Sequence, residues 1–475
     1  MTGSRLRGDA VDSRELAVVV LAAGKGRRMN SDLPKVLHLV CGRPLVSHVL
    51  DEVDALGAGR VVLVVGHESE AVRAEIGDRA GYAEQVEQKG TGHAAMVALA
   101  ELGPGFEEVL VLPGDSPLVT AGTLLSLVEA RRAQGATAAL LCAELDDPVG
   151  YGRVVRGEGG FVERIVEEAD AAGVETAIKE VNACVYAFDR ALLAPALESL
   201  TTDNAQGEYY LTDVVERLVS GGHRVVAVRA PSDEVLGVND RGQLAGAEAI
   251  MRARINEAHM LSGVTMVDPT NTYIDHGVRV GRDTVIMPLV FITGASRVGA
   301  GCRIGPCTSI NGSSVGDRSE VEFSWLDGCE VAEDVRVGPF SRLRPGCRVE
   351  PSARIGSFVE IKNTVVGRGS KVPHLSYMGD ARIGEGVNVG AGSITCNYDG
   401  ERKHRTVIGD GAFLGSDTML IAPVRIGDGA TTGAGSSIYE DVPDGSLGIE
   451  RSEQKNVPGW KDRKASGRGK RARDE

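Results

Sequence analysis

With 475 residues the chain is longer than the roughly 250–300 residues that one core usually organises, so at least two folding units are expected. Its net charge of −14, with both signs mixed along most of its length, excludes the basic stripe that a nucleic-acid backbone requires. The longest apolar stretch near the start, Leu16 to Ala23, falls well short of the roughly 20 residues of a membrane span and is followed by no cleavage-site pattern, so a cytoplasmic protein is expected.

Residues 1–15 are polar and read as a disordered tail. From 16 to 240, short apolar runs alternate with amphipathic stretches, which predicts a doubly wound, Rossmann-like α/β domain around a parallel sheet. Strands are expected over Ala17 to Ala22, Val61 to Val65, Val109 to Leu112 and Ala138 to Ala143. Helices are expected over Thr91 to Leu102 and over Thr123 to Gln134, the second stopped by Gly135.

The first strand runs into "LAAGKGRRM", Leu21 to Met29, where glycines at 24 and 26 let backbone N–H groups approach phosphate oxygens. The third glycine of a dinucleotide fingerprint is missing, and so is the lysine–serine/threonine ending of a P-loop, which argues against both. Lys35 follows in "LPKVLH", then come "QVEQKGTGHA" and "LPGDSP". Asp115, in the last of these, stands just past a predicted strand, where open α/β sheets place ligands. A carboxylate there can hold Mg²⁺ against phosphate oxygens, and Lys35 can neutralise the charge on departing pyrophosphate. Taken singly, Lys35 also reads as a solvated lysine and Asp115 as a turn cap.

Residues 241–262 lack proline, have glycine only near their start, and set Leu244, Met251 and Ile255 near one helical face, which predicts a helical linker arm. Beyond Gly263 the period becomes six. Val280, Ile286, Ile292, Val298, Ile304 and Ile310 form one run, and Val331, Val337, Leu343, Val349, Ile355 and Ile361 a second. Ile408, Leu414, Leu420, Ile426 and Ile438 form a third, with Thr432 in phase. Six suits a triangular solenoid whose aliphatic residues point inward, about 18 residues per coil, so 263–450 is expected to be a parallel β-helix. The 62 glycines against 4% aromatics agree with repetitive tight turns.

The spacing departs from six between Ile361 and Ile383 and again between Val389 and Ile408, which predicts loops out of the coil. Arg344 and Lys362, one coil apart, are expected to stack as a phosphate-binding pair, two solvated charges being the alternative. His374 falls within the first break, beside that pair. Residues 451–475 end in "KDRKASGRGKRARDE", read as a disordered basic tail. The eight cysteines contain no CxxC, Cys302 and Cys307 being the nearest two, and read as reduced, buried small residues.

The N-terminal motifs together resemble the sugar-phosphate nucleotidyltransferases. With the hexapeptide half added, the chain from about Leu16 to Arg451 is similar to the bacterial bifunctional N-acetylglucosamine-1-phosphate uridyltransferase and glucosamine-1-phosphate acetyltransferase family. The resemblance implies a left-handed β-helix and a homotrimer. Its substrates would be glucosamine 1-phosphate, N-acetylglucosamine 1-phosphate, UTP and acetyl-CoA, its metal Mg²⁺, and its product the cell-wall precursor UDP-N-acetylglucosamine.

Residue by residue, the resemblance implies that Leu21, Ala22, Ala23, Gly24, Lys35 and Gln85 hold the nucleotide, and that Gly90 with Thr91 contacts the uracil. Gly152, Glu167 and Asn182 would bind the amino sugar, and Asp115 with Asn239 the metal. In the second half, Arg344, Lys362, Tyr377 and Asn388 would bind glucosamine 1-phosphate. Ala391, Ser416, Ala434 and Arg451 would contact acetyl-CoA, with Asn397 and Tyr398 completing that pocket between neighbouring chains. Acyl transfer to an amine needs a base, for which His374 is the candidate, and Glu360 is assigned to orient it. Arg27 departs from the family pattern, standing where threonine is usual; it either adds charge beside the triphosphate or points to solvent. The rival reading is a single-activity sugar 1-phosphate nucleotidyltransferase with a regulatory or assembly β-helix.

Overall fold

The computed structural model describes residues 15–66 and 68–465; all but the last residue of the expected N-terminal tail lies outside them. Successive residues of β1 (Leu16–Leu21) enter opposite cores: Leu16, Val18 and Val20 one, Ala17 and Val19 the other. A strand covered on both faces has no polar side, which is why this run is apolar throughout. On one face pack α1 (Leu45–Leu56), α2 (Ser69–Ile76) and α4 (Ala121–Ala133). On the other pack α3 (Thr91–Glu101), α5 (Arg190–Glu198) and α6 (Asp213–Ser220).

The remaining strands of this sheet are β2 (Arg60–Val65), β3 (Gly81–Glu84), β4 (Glu108–Pro113), β5 (Ala138–Glu144), β6 (Arg153–Arg156), β7 (Val162–Val166), β8 (Glu180–Asp189) and β9 (Val225–Arg229). The order is β9-β5-β8-β4-β1-β2-β3, with β6 and β7 off the main path. The sheet is mixed, not purely parallel as expected, because β8 runs antiparallel to both β4 and β5. The antiparallel β6–β7 pair just before it turns the chain around, so β8 enters from the opposite end.

The expected arm is a helix, α7 (Arg241–Leu261). Leu244, Met251 and Ile255 pack on Met29, Val40, Leu118 and Val238, and Arg254 donates to the Leu118 carbonyl at 2.7 Å. The chain divides into two compact units between Ile255 and Asn256. Beyond the division, the Asn256 side chain donates to the carbonyls of Pro269 and Thr272 at 2.8 and 2.9 Å, tying the end of α7 to the first coil.

The second unit is three parallel sheets of 11, 10 and 9 short strands, successive coils stacking in register. One inward column reads Ile286, Ile304, Val321, Val337, Ile355, Val372, Val389, Leu414 and Thr432, all buried. Thr432 is tolerated among aliphatics because its hydroxyl is bonded to the Gly415 N–H and the Thr418 hydroxyl, each at 3.0 Å.

The first register break holds no loop. Ile361, Val366, Val372, Met378 and Ile383 all point inward, so two sides have merely lost one residue each. A corner threonine closes the short side: the Thr364 hydroxyl donates toward the carbonyls of Lys362 and Met378 and accepts from the Ala381 N–H at 3.0 Å. His374 therefore ends a strand, Lys371–His374, paired to Ser357 of the preceding coil. The second break is a true loop: Val389 pairs with Leu414, and the intervening segment carries a Tyr398–Lys403 bridge. Near the C-terminus Trp460–Ala465 are helical (α8) where irregular chain was expected to begin, and 466–475 lie outside the described residues.

Candidate active sites

At the C-terminal ends of β1, β2 and β4 lies a cavity of about 1150 Å³. Leu21, Ala22, Ala23, Gly24, Lys35, Gln85, Gly90, Thr91, Asp115, Gly152, Glu167, Asn182 and Asn239 all line it. The chain is led there by short turns. Gly114 donates to the Leu21 carbonyl at 2.8 Å, and Gln88 Nε2 to the Ala23 carbonyl at 2.7 Å, pinning the glycine loop. Gly90 has φ 104°, and a Cβ there would stand 2.5 Å from the Tyr209 carbonyl oxygen, so only glycine lets the chain enter α3 here. Gln85 is buried, its amide Nε2 donating to the Gly90 carbonyl at 3.0 Å and meeting His93 Nδ1 at 3.0 Å.

Lys35 forms an ion pair with Asp115 and donates to Asn239 Oδ1 at 3.2 Å. The two oxygen donors assigned to a metal thus already converge on one cation. Among the described residues no three of His, Cys, Asp and Glu gather as a ligand set. A hard cation that shares its shell with phosphate oxygens needs no such set. Glu167 accepts from the Thr212 hydroxyl at 3.0 Å; burial pushes its carboxyl above the usual range, and that bond only partly offsets the shift. Lys25, Arg27 and Arg28 also line the cavity, so Arg27 stands on its wall. Tyr151, Cys184 and Tyr210 also line the cavity and were missed in the sequence; Tyr151 adjoins Gly152 in "GYGR" and could have been drawn from it.

In the β-helix, Arg344, Lys362 and Tyr377 share one sheet, Leu343 pairing with Ile361 and Lys362 with Gly379. The expected stacking of Arg344 and Lys362 is present. Lys362 pairs with Asp380 at 3.3 Å, while Asn397 and Asn363 both donate to the same carboxylate. Glu360 is bonded to Arg344 at 3.1 Å and faces Tyr377 in register; no hydrogen bond joins it to His374 among the described residues. His374 is exposed, and Asn388 lies one coil beyond it on the same sheet, paired with Lys371. Ala391, Ser416 and Ala434 stack at one corner: Asp417 donates to the Ala391 carbonyl and Gly435 to that of Ser416, at 2.7 and 2.8 Å. Arg451 follows the last coil strand, Leu447–Gly448.

Sequence reading missed Lys403, whose amine adjoins Lys362. The Lys362 ammonium holds Lys403 below the usual lysine range, whereas Lys362, hydrogen-bonded to Lys403 and paired with Asp380, stays above it. The Arg344 guanidinium, the Lys362 ammonium and the Lys403 amine beside it form a set of donors that suits a phosphate. Of the eight cysteines, Cys184 and Cys307 are exposed and Cys396 half-buried, so the expected burial holds for five.

Residues 18–220 match the model of the MobA-like NTP transferase domain, and 405–440 that of the bacterial transferase hexapeptide (six repeats). The "Bifunctional protein GlmU" of Heliobacterium modesticaldum is 50% identical over 94% of this chain and 98% of its own length. Those of Caldanaerobacter subterraneus and a Geobacillus species are each 49% identical over 94% of this chain and 97% of theirs. The chain belongs to the bifunctional GlmU family. As a GlmU family member it is an enzyme with two transferase activities, uridylyl transfer in its first unit and acetyl transfer in its left-handed β-helix, which together make UDP-N-acetylglucosamine. The single-activity alternative is set aside. Among the described residues no helix of this GlmU family chain is long and apolar enough to cross a membrane.

Proposed function

We propose that the two sites catalyse successive steps in the cytoplasm: N-acetylation of glucosamine 1-phosphate in the β-helix, then transfer of UMP from UTP to the acetylated sugar phosphate in the first unit. The observation that supports this reading is that all thirteen residues assigned to nucleotide, sugar and metal line one cavity, in a chain that also stacks Arg344 on Lys362 in the second unit.

In the first unit, a phosphate oxygen of the sugar phosphate attacks the α-phosphorus of UTP and pyrophosphate leaves. Lys35, with Arg27 and Arg28 on the same wall, stabilises the charge gathering on the leaving group. Asp115 and Asn239 would hold Mg²⁺, which when bound neutralises the triphosphate. In the second unit, Arg344, Lys362 and Lys403 hold the sugar phosphate, and Tyr377 and Asn388 position the amino sugar. The His374 imidazole takes the proton from the amine as it attacks the thioester of acetyl-CoA, and the CoA thiol departs. Ala391, Ser416, Ala434 and Arg451 bind acetyl-CoA. The chain works as a homotrimer in this reading, neighbouring copies covering exposed His374 and Tyr398 and bringing Asn397 and Tyr398 to a shared pocket.

The test is to incubate the purified enzyme with glucosamine 1-phosphate, acetyl-CoA, UTP and Mg²⁺, omitting each in turn. Full mixtures should yield UDP-N-acetylglucosamine. Omitting acetyl-CoA should leave no sugar nucleotide, and omitting UTP should stop at N-acetylglucosamine 1-phosphate. A sugar nucleotide formed equally well without acetyl-CoA would overturn the proposed order.

A further inference from the structure

The sugar end of the first cavity contains a side chain that neither the glycine loop nor the metal pair accounts for. Strand β8 follows β5 up to Asn182 and resumes at Tyr186, with an irregularity between them. Within it Cys184 takes φ 57°, a left-handed conformation that a residue with a Cβ adopts at a cost. Its neighbours Ala183 and Val185 are buried in the core, while Cys184 is exposed on the cavity wall. The bulge therefore opens the strand to the cavity at this one residue.

Beside it stands a second, independent feature. Asn182 is 1% exposed; its Nδ2 donates to the Tyr186 hydroxyl at 2.6 Å and lies 3.6 Å from Cys184 Sγ. Its Oδ1 is buried without a hydrogen-bond partner. A buried amide oxygen without a partner, in a residue that lines a cavity, is matched by a ligand N–H or O–H that reaches it.

We propose that Cys184 is a specificity-determining residue of the sugar-phosphate subsite, its thiol limiting the size of the N-acyl group whose amide N–H bonds to Asn182 Oδ1. The inference rests on the uridylyl-transfer reading above. An acyl group on that amide lies against the sulfur, so acetyl fits and one more methylene meets the thiol.

The test compares the wild type with Cys184→Gly and Cys184→Ser, using UTP with N-acetyl- or N-propionylglucosamine 1-phosphate and measuring pyrophosphate release. The wild type should favour the acetyl substrate. In Cys184→Gly the propionyl-to-acetyl ratio of kcat/KM should rise on the order of tenfold, the scale of one methylene in a pocket. The KM for UTP should stay unchanged, and Cys184→Ser, similar in size, should keep the wild-type ratio. Normal turnover of the acetyl substrate with the same ratio in all three proteins, whatever its value, overturns the role of Cys184. Absence of pyrophosphate release from the wild type with either sugar overturns the uridylyl-transfer reading itself. Thermal unfolding of both variants separates a changed pocket from a damaged fold.

Discussion

The two units build their sites in opposite ways. In the first, residues far apart in the chain, such as Lys35, Asp115, Glu167 and Asn239, are carried by separate segments to one cavity. In the second, Arg344, Lys362 and Tyr377 come from consecutive coils and lie along an outer surface, with His374 exposed. An α/β sheet concentrates chemistry where its strands end, whereas a solenoid spreads it along its length. The two chemistries should therefore be separable by single substitutions.

Asp115→Ala should separate them most sharply. Loss of the carboxylate that meets Lys35 should lower pyrophosphate release by at least about 10²–10³-fold while CoA release is unchanged; a parallel fall in both would erase the distinction. The mirror experiment, His374→Ala, should lower CoA release by about 10²–10³-fold and leave uridylyl transfer intact. Acetylation at the normal rate would remove His374 from the role of base.

Stability offers a third handle. Ile361 is fully buried between coils, and Ile361→Ala should cost about 2–5 kcal/mol in a urea titration. Because coils touch mainly their neighbours, the loss should appear in the unfolding of the β-helix and not of the first unit; a shift of both transitions would mean the units unfold together. The smallest effect concerns Glu167, whose folded pKa is raised by burial. A raised carboxyl favours the folded state while protonated, and that advantage is lost as pH rises through the folded value. Glu167→Gln should then melt slightly higher than wild type near neutral pH, the gap narrowing on acidification. A gap that widens at low pH would contradict the burial argument.

Much of this was legible in the sequence, unevenly. Each inward position of a coil meets the same apolar surroundings, so the period of six survives in the residues themselves, and α7 followed from its unbroken helical pattern. The register breaks misled because a count against six does not distinguish a side one residue short from an inserted loop; Thr364 closes the short side with hydrogen bonds that no spacing reveals. The antiparallel entry of β8 was invisible because apolar runs carry no direction. Motif residues placed the first cavity, but Cys184 joins it only through a bulge. Lys403 reads as one more lysine in a polar loop until the fold sets it beside Lys362.

The coils vary in length, yet Arg344 still stands one rung from Lys362, and Lys371 one rung from Asn388. Distance along this half of the molecule is counted in rungs of roughly 4.8 Å, not in residues. A loop such as the one bearing Lys403 can therefore lengthen or shorten without altering the gap between the groups above and below it. The solenoid works as a graduated scale on which binding groups keep their marks while the chain between them is free to change.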